Sequence, residues 1–278
     1  METQARLSTG FLSFLVPTLA LVFCIAGYAT EPSFRLHLKL DDGAPSTVAS
    51  DSSPNGLDGV LMNMDDLAWQ TGVAGLALQF DGVDDYVEVP NDDLLDFGWR
   101  EFTVSYWYLK QVTSGGFDNL YGVSKWSTGA SPGNNEWALN IGSGRSSDAP
   151  VFRLEVGTSL YGLESPQEAN LLEWHHLVGV RRRDAVALYV DGVLVGEDAT
   201  IPPDAVVNNN DKTLRLAVNQ PAAPLFYSQA LLDDLQIYAF AVDDGGVNVG
   251  DPAGGGVLFL FENPGTALVM FENSFEAP

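Results

Sequence analysis

The chain contains almost no cysteine: its 278 residues include only Cys24. This residue lies in an N-terminal stretch with the pattern of a secretory signal, in which Arg6 is positive, residues 11–25 are apolar and a small-x-small motif ends at Ala29. The apolar stretch is short for a membrane span and contains Pro17, so we expect a cleaved signal peptide. The mature chain would then be secreted or displayed at the cell surface, without a membrane span. Cleavage after Ala29 would remove Cys24 and with it disulfides, thiolate metal ligands and a cysteine nucleophile.

Positive charge is also scarce. Thirteen lysine and arginine residues face 37 aspartate and glutamate residues, which gives a formal net charge of −24. A chain this acidic repels nucleic acids and anionic lipids, and neither is therefore an expected partner. Two interpretations of the acids stay open. They keep a secreted β-protein soluble, or they suit an extracellular setting rich in divalent cations.

Helical periodicity is missing from every stretch of 11 residues or more, whereas strict alternation of apolar and polar side chains recurs. The clearest case is residues 34–40, and a period of two places one side chain set in a core and the other in water. On this pattern His37 is expected to be exposed. The Asp191-Gly192 pair predicts a tight hairpin turn, because both residues accept positive φ. Strands are predicted at 34–40, 75–80, 86–89, 102–110, 136–141, 151–156, 174–180, 186–190, 193–195, 213–218 and 235–240.

Three segments resemble one known family. They are ALQFDGVDDYVEVP at 77–90, WHHLVGV at 174–180 with LYVDG at 188–192, and LDDLQIY at 232–238. In this order and spacing they resemble the bacterial-type laminin G-like, or concanavalin A-like lectin, jelly-roll domain. The resemblance covers about 34–242 and implies an all-β, two-sheet antiparallel jelly-roll sandwich. It further implies a binding module that is usually non-catalytic and often holds calcium, although the fold also hosts lectins, adhesins and a few hydrolases.

The predicted organisation is a signal peptide at 1–29, a laminin G-like domain at 30–242, and a Gly/Asp-rich linker with a tail at 243–278. The tail contains a short repeat, LFLFEN at 258–263 and LVMFEN at 268–273. Each copy is too short to cross a bilayer. Two alternatives stay open for the repeat: an added edge strand or hairpin, or a terminal sorting or docking signal.

A calcium site is predicted in the loop at 51–59, which runs from Asp51 to Gly59. Oxygen-bearing side chains alternate along it, and Gly56 permits a sharp turn. The family resemblance implies that this loop approaches Asp233 and Asp234 on the last strand. Neighbouring strand residues point to opposite faces, so only one of these two carboxylates can reach a metal.

We expect Asp51, Asn55 and Asp233 to bind Ca²⁺ together with backbone carbonyls. The alternative is a polar turn beside a strand-end acid. A second group of acids, at 81–85, is interpreted as a hairpin turn.

Ligand binding is predicted at aromatic side chains on loops, because sugar rings stack their C–H faces on exposed aromatic rings. Trp126 is the first candidate, since it lies at a strand end before a polar loop, and a core position is its alternative. Tyr121 and Tyr227 also lie in or beside loops. These three residues form the predicted binding site.

No catalytic constellation stands out. The Gly-x-Ser-x-Gly pattern at 129–133 lacks the helix that a nucleophile elbow requires, and the Glu-x-Asp-x-x-Glu strand signature of jelly-roll glucanases does not occur. The sequence therefore predicts a secreted, non-catalytic recognition module for a carbohydrate or an extracellular protein, with a structural calcium. An extracellular polysaccharide hydrolase and a structural adhesin or assembly protein are the alternatives.

Overall fold

The computed structural model describes residues 34–113, 120–126, 133, 135–142, 147–209, 211–218, 227–242 and 256–268. Among these, the helical elements are two short 3-10 helices, Asp66–Ala68 and Asp93–Leu95, and the helix α1, Gly256–Glu262. The strands are β1 Phe34–Leu38, β2 Val48–Ala49, β3 Gly59–Met62, β4 Trp69–Thr71, β5 Leu76–Asp81, β6 Tyr86–Val89, β7 Phe102–Lys110, β8 Val123–Lys125, β9 Trp137–Asn140, β10 Val151–Val156, β11 Ser159–Glu164, β12 Trp174–Arg181, β13 Val186–Val190, β14 Val193–Asp198, β15 Leu214–Leu216 and β16 Gln229–Tyr238.

These strands form two antiparallel sheets. The first has the order β14-β13-β12-β7-β16-β5-β4, with β1 paired to β16, and the second has the order β11-β10-β9-β8-β15-β6-β3-β2. Strands distant in sequence are neighbours in both sheets, as in a jelly roll. Each predicted strand segment contains a strand, and the predicted all-β, two-sheet antiparallel sandwich is confirmed.

The main core lies between the sheets, and alternation along β7 shows how it is built. Phe102, Val104, Tyr106 and Tyr108 all enter this core. The residues between them point to the opposite face of the sheet, as the period of two requires. The turn between β13 and β14 also follows the sequence, since Asp191 has φ 51° and the glycine after it has φ 76°.

The outer face of the first sheet is covered by the C-terminal part of the described chain. We call residues 256–268, which comprise α1 and the six residues after it, the covering segment. Its Val257, Leu260 and Leu268 are buried in one cluster with Val178 and Tyr189 of the sheet. The first copy of the tail repeat therefore lies largely in a helix and packs on a sheet face, so the edge-strand interpretation of that copy is wrong.

The exposure predicted for His37 is also wrong. Its ring is only 3% exposed, and Nε2 lies 2.7 Å from Asp234 Oδ1. The physical reason is that β1 pairs with β16 and the covering segment closes over this pair. The backbone N–H of Gly265 donates to the same carboxylate, at Oδ2, over 2.8 Å.

Other predictions concern parts of the chain outside the described residues. These are the signal peptide at 1–29, the predicted linker at 243–256 apart from Gly256, which begins α1, and the second repeat copy beyond Leu268. Within the described portion, no helix has the length and apolar character needed to cross a membrane.

Candidate functional site

Trp99 lies in the turn that leads into β7 and is the most exposed of the six tryptophans. A groove lies beside it. The Trp99 side chain is 68% exposed. The turn closes through a hydrogen bond from Arg100 N to Phe97 O of 2.9 Å, and Gly98 has φ 57°, a conformation that glycine adopts without strain. This local geometry directs an indole ring into solvent.

The turn that carries Trp99 is held in place from below and from the side. Phe97 is buried and stacks on Phe102 of the core, with ring centroids 4.3 Å apart and an interplanar angle of 11°. The backbone N–H of Val207 donates to Gly98 O over 2.9 Å, which ties the loop before β15 to the same turn. Because these contacts already fix the turn, a ligand that stacks on Trp99 does not have to order the backbone that carries it.

A groove of about 760 Å³ opens beside Trp99. Its volume is in the range of small-molecule binding sites in proteins. The groove has an apolar part and a charged part. The apolar part comprises Trp99, Pro203, Val206, Ala239 and Phe240, and the charged part comprises Arg100, Glu101, Arg183 and Asp204.

The charged side chains of this groove balance one another. Arg183 Nη2 donates to Asp204 Oδ1 over 3.2 Å, and the backbone N–H of Arg183 donates to Glu101 Oε1 over 3.1 Å. The lining carries two guanidinium groups and two carboxylates, so the groove has no excess formal charge of either sign. An aromatic platform flanked by donors and acceptors suits a ligand with an apolar face and hydroxyl groups at its edge.

The sequence interpretation missed Trp99. A signal for it exists, because Trp99 directly follows a glycine in the segment between two predicted strands, at 90–101. The sequence pattern instead favours Trp126 as the exposed loop tryptophan, but this residue follows β8 and is only partly exposed. Side-chain exposure depends on the packing of distant loops, which periodicity does not report.

The three predicted ligand-binding residues are not brought together as one platform. Tyr227 is buried, with 6% of its surface exposed, and packs against Tyr86 with ring centroids 6.2 Å apart. Tyr121 is partly exposed and its carbonyl accepts from Ser228 Oγ over 2.7 Å, so it lies near Tyr227. No described contact joins Trp126 to either tyrosine. Ligand binding by these residues stays a prediction.

The carboxylate of Asp51, a predicted calcium ligand, is already used by four donors. Oδ1 accepts from His37 N and Ser53 N, and Oδ2 accepts from Ser53 Oγ and Leu57 N, over 2.8–2.9 Å. Asp51 thus organises its own loop and fixes it to β1. A cation at this carboxylate would have to compete with these backbone and side-chain donors.

The other two predicted ligands face different partners. Asn55 Nδ2 donates to the carbonyl oxygens of Phe34 and Arg35, over 2.8 and 2.9 Å. Asp233 Oδ2 accepts from the N–H groups of Val73 and Ala74, over 2.7 and 3.1 Å. No described contact joins Asp51, Asn55 and Asp233 in one site, and calcium binding by these three stays a prediction.

Three other acids do converge. Asp81, Asp84 and Asp85 each offer a carboxylate oxygen, and these oxygens lie within 4.8 Å of one another, the one such group of acids, histidines or cysteines in the described ranges. Burial, followed by the nearby Asp81 carboxylate, raises the pKa of Asp85 to about 6. Hard oxygen ligands at this spacing suit a divalent cation. The same residues also order the hairpin turn, since Asp81 Oδ1 accepts from Val83 N over 2.7 Å.

Comparison with known proteins gives the class to which this fold belongs. Residues 81–248 match the family described as the Concanavalin A-like lectin/glucanases superfamily. The matched region is more than half of the chain, and the chain belongs to this family. The resemblance inferred from the sequence segments is thereby confirmed. No curated protein sequence matches the chain.

Solved structures with a similar fold include binding domains from several bacteria. The binding domain of Paraclostridial Mosquitocidal Protein 1 has a TM-score of 0.58 and 14% identity, over 82% of this chain and 52% of that one. Domain 4 of AbnA, a GH43 extracellular arabinanase from Geobacillus stearothermophilus in complex with arabinotriose, has a TM-score of 0.56 and 20% identity, over 75% and 93% of the chains. The binding domain of Botulinum Neurotoxin DC in complex with SialylT has a TM-score of 0.54 and 14% identity, over 76% and 49%.

At these identities the likeness shows the shared fold. The chain spans about half the length of the two toxin domains, 52% and 49%, and nearly all of the arabinanase domain. These neighbours are two toxin binding domains and one domain of an arabinanase. The comparison therefore establishes the jelly-roll sandwich fold of the family.

Proposed function

We propose that this protein is a secreted, non-catalytic module that binds a neutral oligosaccharide in the Trp99 groove. The observation that carries the proposal is an indole ring, 68% exposed, on a turn fixed to the core beside a groove of about 760 Å³. Trp99 and Val206 are both exposed large apolar residues on the same groove, and a contiguous exposed apolar patch is typical of a recognition surface. Secretion rests on the N-terminal signal pattern.

The chemistry of the groove supports a neutral sugar. Apolar contact with Trp99 and Val206 suits the C–H face of a sugar ring, and the side chains of Arg100 and Glu101 offer hydrogen bonds to its hydroxyl groups. An anionic glycan would meet balanced groove charges on a chain of net charge −24, which repels it at long range. The arabinotriose complex of the arabinanase domain makes that neutral trisaccharide a suitable first probe.

The test is an array of neutral and sialylated oligosaccharides, with arabinotriose among them, applied to the wild-type chain and to Trp99→Ala. We expect binding of a neutral oligosaccharide by the wild type and a loss of about tenfold or more in the variant, as for an aromatic residue at the centre of an interface. Trp126→Ala tests the competing site predicted from the sequence, and the groove assignment requires that this variant bind as the wild type does. Equal binding by Trp99→Ala and the wild type would refute the groove assignment.

One observation favours a second candidate, a polysaccharide hydrolase. Asp81 and Asp85 are adjacent carboxylates, and the pKa of Asp85 is raised to about 6, as in a general acid. Against this, both belong to one hairpin turn, and Asp85 Oδ2 accepts from the backbone N–H of Asp81 over 3.1 Å. A glycosidase pair must flank the bond it cleaves. Release of reducing sugar that Asp85→Asn abolishes would establish the hydrolase instead.

A further inference from the structure

An aromatic ring of the covering segment stacks on the outer face of the first sheet. Phe261 of α1 lies parallel to Trp107 of β7, with ring centroids 5.4 Å apart and an interplanar angle of 18°. It also lies 6.1 Å from the ring of His176 on β12. Trp107 and His176 are neighbours, with ring centroids 5.0 Å apart. The segment thus uses a phenyl ring to cover a tryptophan–histidine pair.

The face beneath Phe261 is polar for a permanently buried surface. His176 Nε2 lies 2.8 Å from Ser105 Oγ, while Nδ1 of the same ring is buried without a partner among the described residues. Trp107 Nε1 and Asp233 Oδ1 are likewise buried and unpartnered within the described part of the chain. Trp107 and Asp233 are paired across β7 and β16, so these polar atoms belong to one neighbourhood.

This arrangement is costly, because a buried donor or acceptor without a hydrogen bond loses its hydration and gains nothing in return. The phenyl ring of Phe261 has no polar atom to offer the three. Burial lowers the pKa of His176 to about 4, so its ring is neutral at physiological pH and protonation does not satisfy it.

Away from Phe261, the covering segment contacts the sheet through apolar packing and a hydrogen bond. Val257 and Leu260 of α1 pack with Val178, Val180 and Tyr189, and this apolar contact holds the segment to the sheet. Beyond α1 the backbone N–H of Leu268 donates to the Tyr238 hydroxyl over 2.9 Å. Apolar packing and this hydrogen bond therefore hold the segment, whereas Phe261 offers no hydrogen bond to the polar pair that it contacts.

We propose that Trp107, His176 and Asp233 form a second saccharide-binding site, and that the covering segment occupies it with Phe261 in the place of a sugar ring. A sugar presents an apolar C–H face to Trp107, as Phe261 does, and carries hydroxyl groups at its edge. Each hydroxyl both donates and accepts, so hydroxyls satisfy unpartnered atoms of either kind. This site is separate from the Trp99 groove, and its ligand must displace Phe261.

The test uses the full-length chain carrying Trp99→Ala, so that the groove does not contribute, and an array of neutral oligosaccharides. Phe261→Ala in this background removes the covering ring. We expect it to increase saccharide binding about tenfold, because apparent affinity scales with the fraction of molecules in which the site is open. Adding Trp107→Ala should abolish that gain. The matched control is Glu262→Ala, which truncates an exposed side chain of α1 and should leave binding unchanged.

A disulfide gives an independent measurement that leaves Phe261 intact. A Cβ built at Gly265, which has φ 78°, would lie 3.0 Å from Ala74 Cβ, so the usual disulfide separation of about 3.8 Å requires a small outward shift of this turn. In the Trp99→Ala background with Cys24→Ser, the pair Ala74→Cys and Gly265→Cys should lock the segment when oxidised. Saccharide binding should disappear on oxidation and return on reduction.

Two results would overturn the proposal. One is a folded Phe261→Ala variant, with a near-ultraviolet circular dichroism spectrum like that of its parent, that binds no more saccharide than Glu262→Ala. The other is binding that persists in the oxidised pair. Loss of the Trp99 groove function alone would leave both measurements intact, so the two proposals fail separately.

Discussion

Gly179 of β12 lies directly against the ring of Phe152 on β10, in the opposite sheet. A Cβ added at Gly179 would come 2.8 Å from Phe152 Cγ, closer than carbon atoms approach without a shift. The glycine therefore makes room for a large ring at the centre of the sandwich. Because interiors are closely packed, this position fixes the local distance between the sheets.

We predict that Gly179→Ala destabilises the protein by about 1–3 kcal/mol through overpacking. Urea unfolding measures the change. Phe152→Leu in the same chain supplies the control, since the smaller side chain should make the double variant less unstable than the sum of the single variants. Strict additivity would show that the two residues do not compete for space.

The side chain of Lys125 is fully buried and contacts two carboxylates, which belong to Asp96 and Glu136. Its ammonium contacts Asp96 and lies 3.3 Å from Glu136 Oε2. We predict that Lys125→Ala costs about 3–5 kcal/mol, because two carboxylates are left buried without their cation. Arg183→Ala breaks the exposed pair with Asp204 and should cost less than about 1 kcal/mol. Chemical denaturation that gives similar losses for both variants would contradict this account.

Asp233 makes stability depend on pH. Burial raises its pKa to about 7, against the opposing effect of the N–H groups of Ala74 and Val73. The folded state then binds the proton more tightly than the unfolded state, so stability falls as the pH rises from about 4 to 7. Over this pH range, Asp233→Asn should reduce the fall in the free energy of unfolding by roughly 2–4 kcal/mol. Parallel pH profiles of the melting temperature in both proteins would contradict the prediction.

Calcium is predicted to stabilise the fold. With the free ion at a hundred times its Kd, the gain is about 2.7 kcal/mol, which the melting temperature in calcium and in EDTA would reveal. Asp85→Asn should abolish the response if the converging acids at 81–85 hold the ion. Asp51→Ala should abolish it if the loop predicted from the sequence does.

The calcium experiment has a clear negative outcome. A wild-type melting temperature that is the same in calcium and in EDTA contradicts calcium binding at either place. A response that survives in both variants would require ligands other than Asp51 and Asp85.

The strands could be predicted from the sequence because alternation is local. The nine residues of β7 and the Asp191-Gly192 turn follow from side-chain type alone. Short strands such as β2, with two residues, carry no period to detect. The burial of His37 could not be predicted, since alternation does not tell whether a distant segment covers the polar face.

The site was less predictable than the fold. Aromatic residues on loops can be found in the sequence, but choosing between Trp126 and Trp99 requires knowing which loops pack together. The seven residues of α1 were likewise misjudged, because so short a helix depends on its packing partners. The raised pKa of Asp85 follows from burial, which the sequence pattern does not give.

The most direct test of saccharide binding in the Trp99 groove is ¹⁹F NMR of the chain labelled with 5-fluorotryptophan. Its six tryptophans give one signal each, and Trp99→Phe assigns the one of interest. On titration with the best neutral oligosaccharide from the array, or with arabinotriose, we predict a shift of the Trp99 signal while that of Trp126 stays in place. A saturable shift of the Trp126 signal with no change at Trp99 would contradict the account.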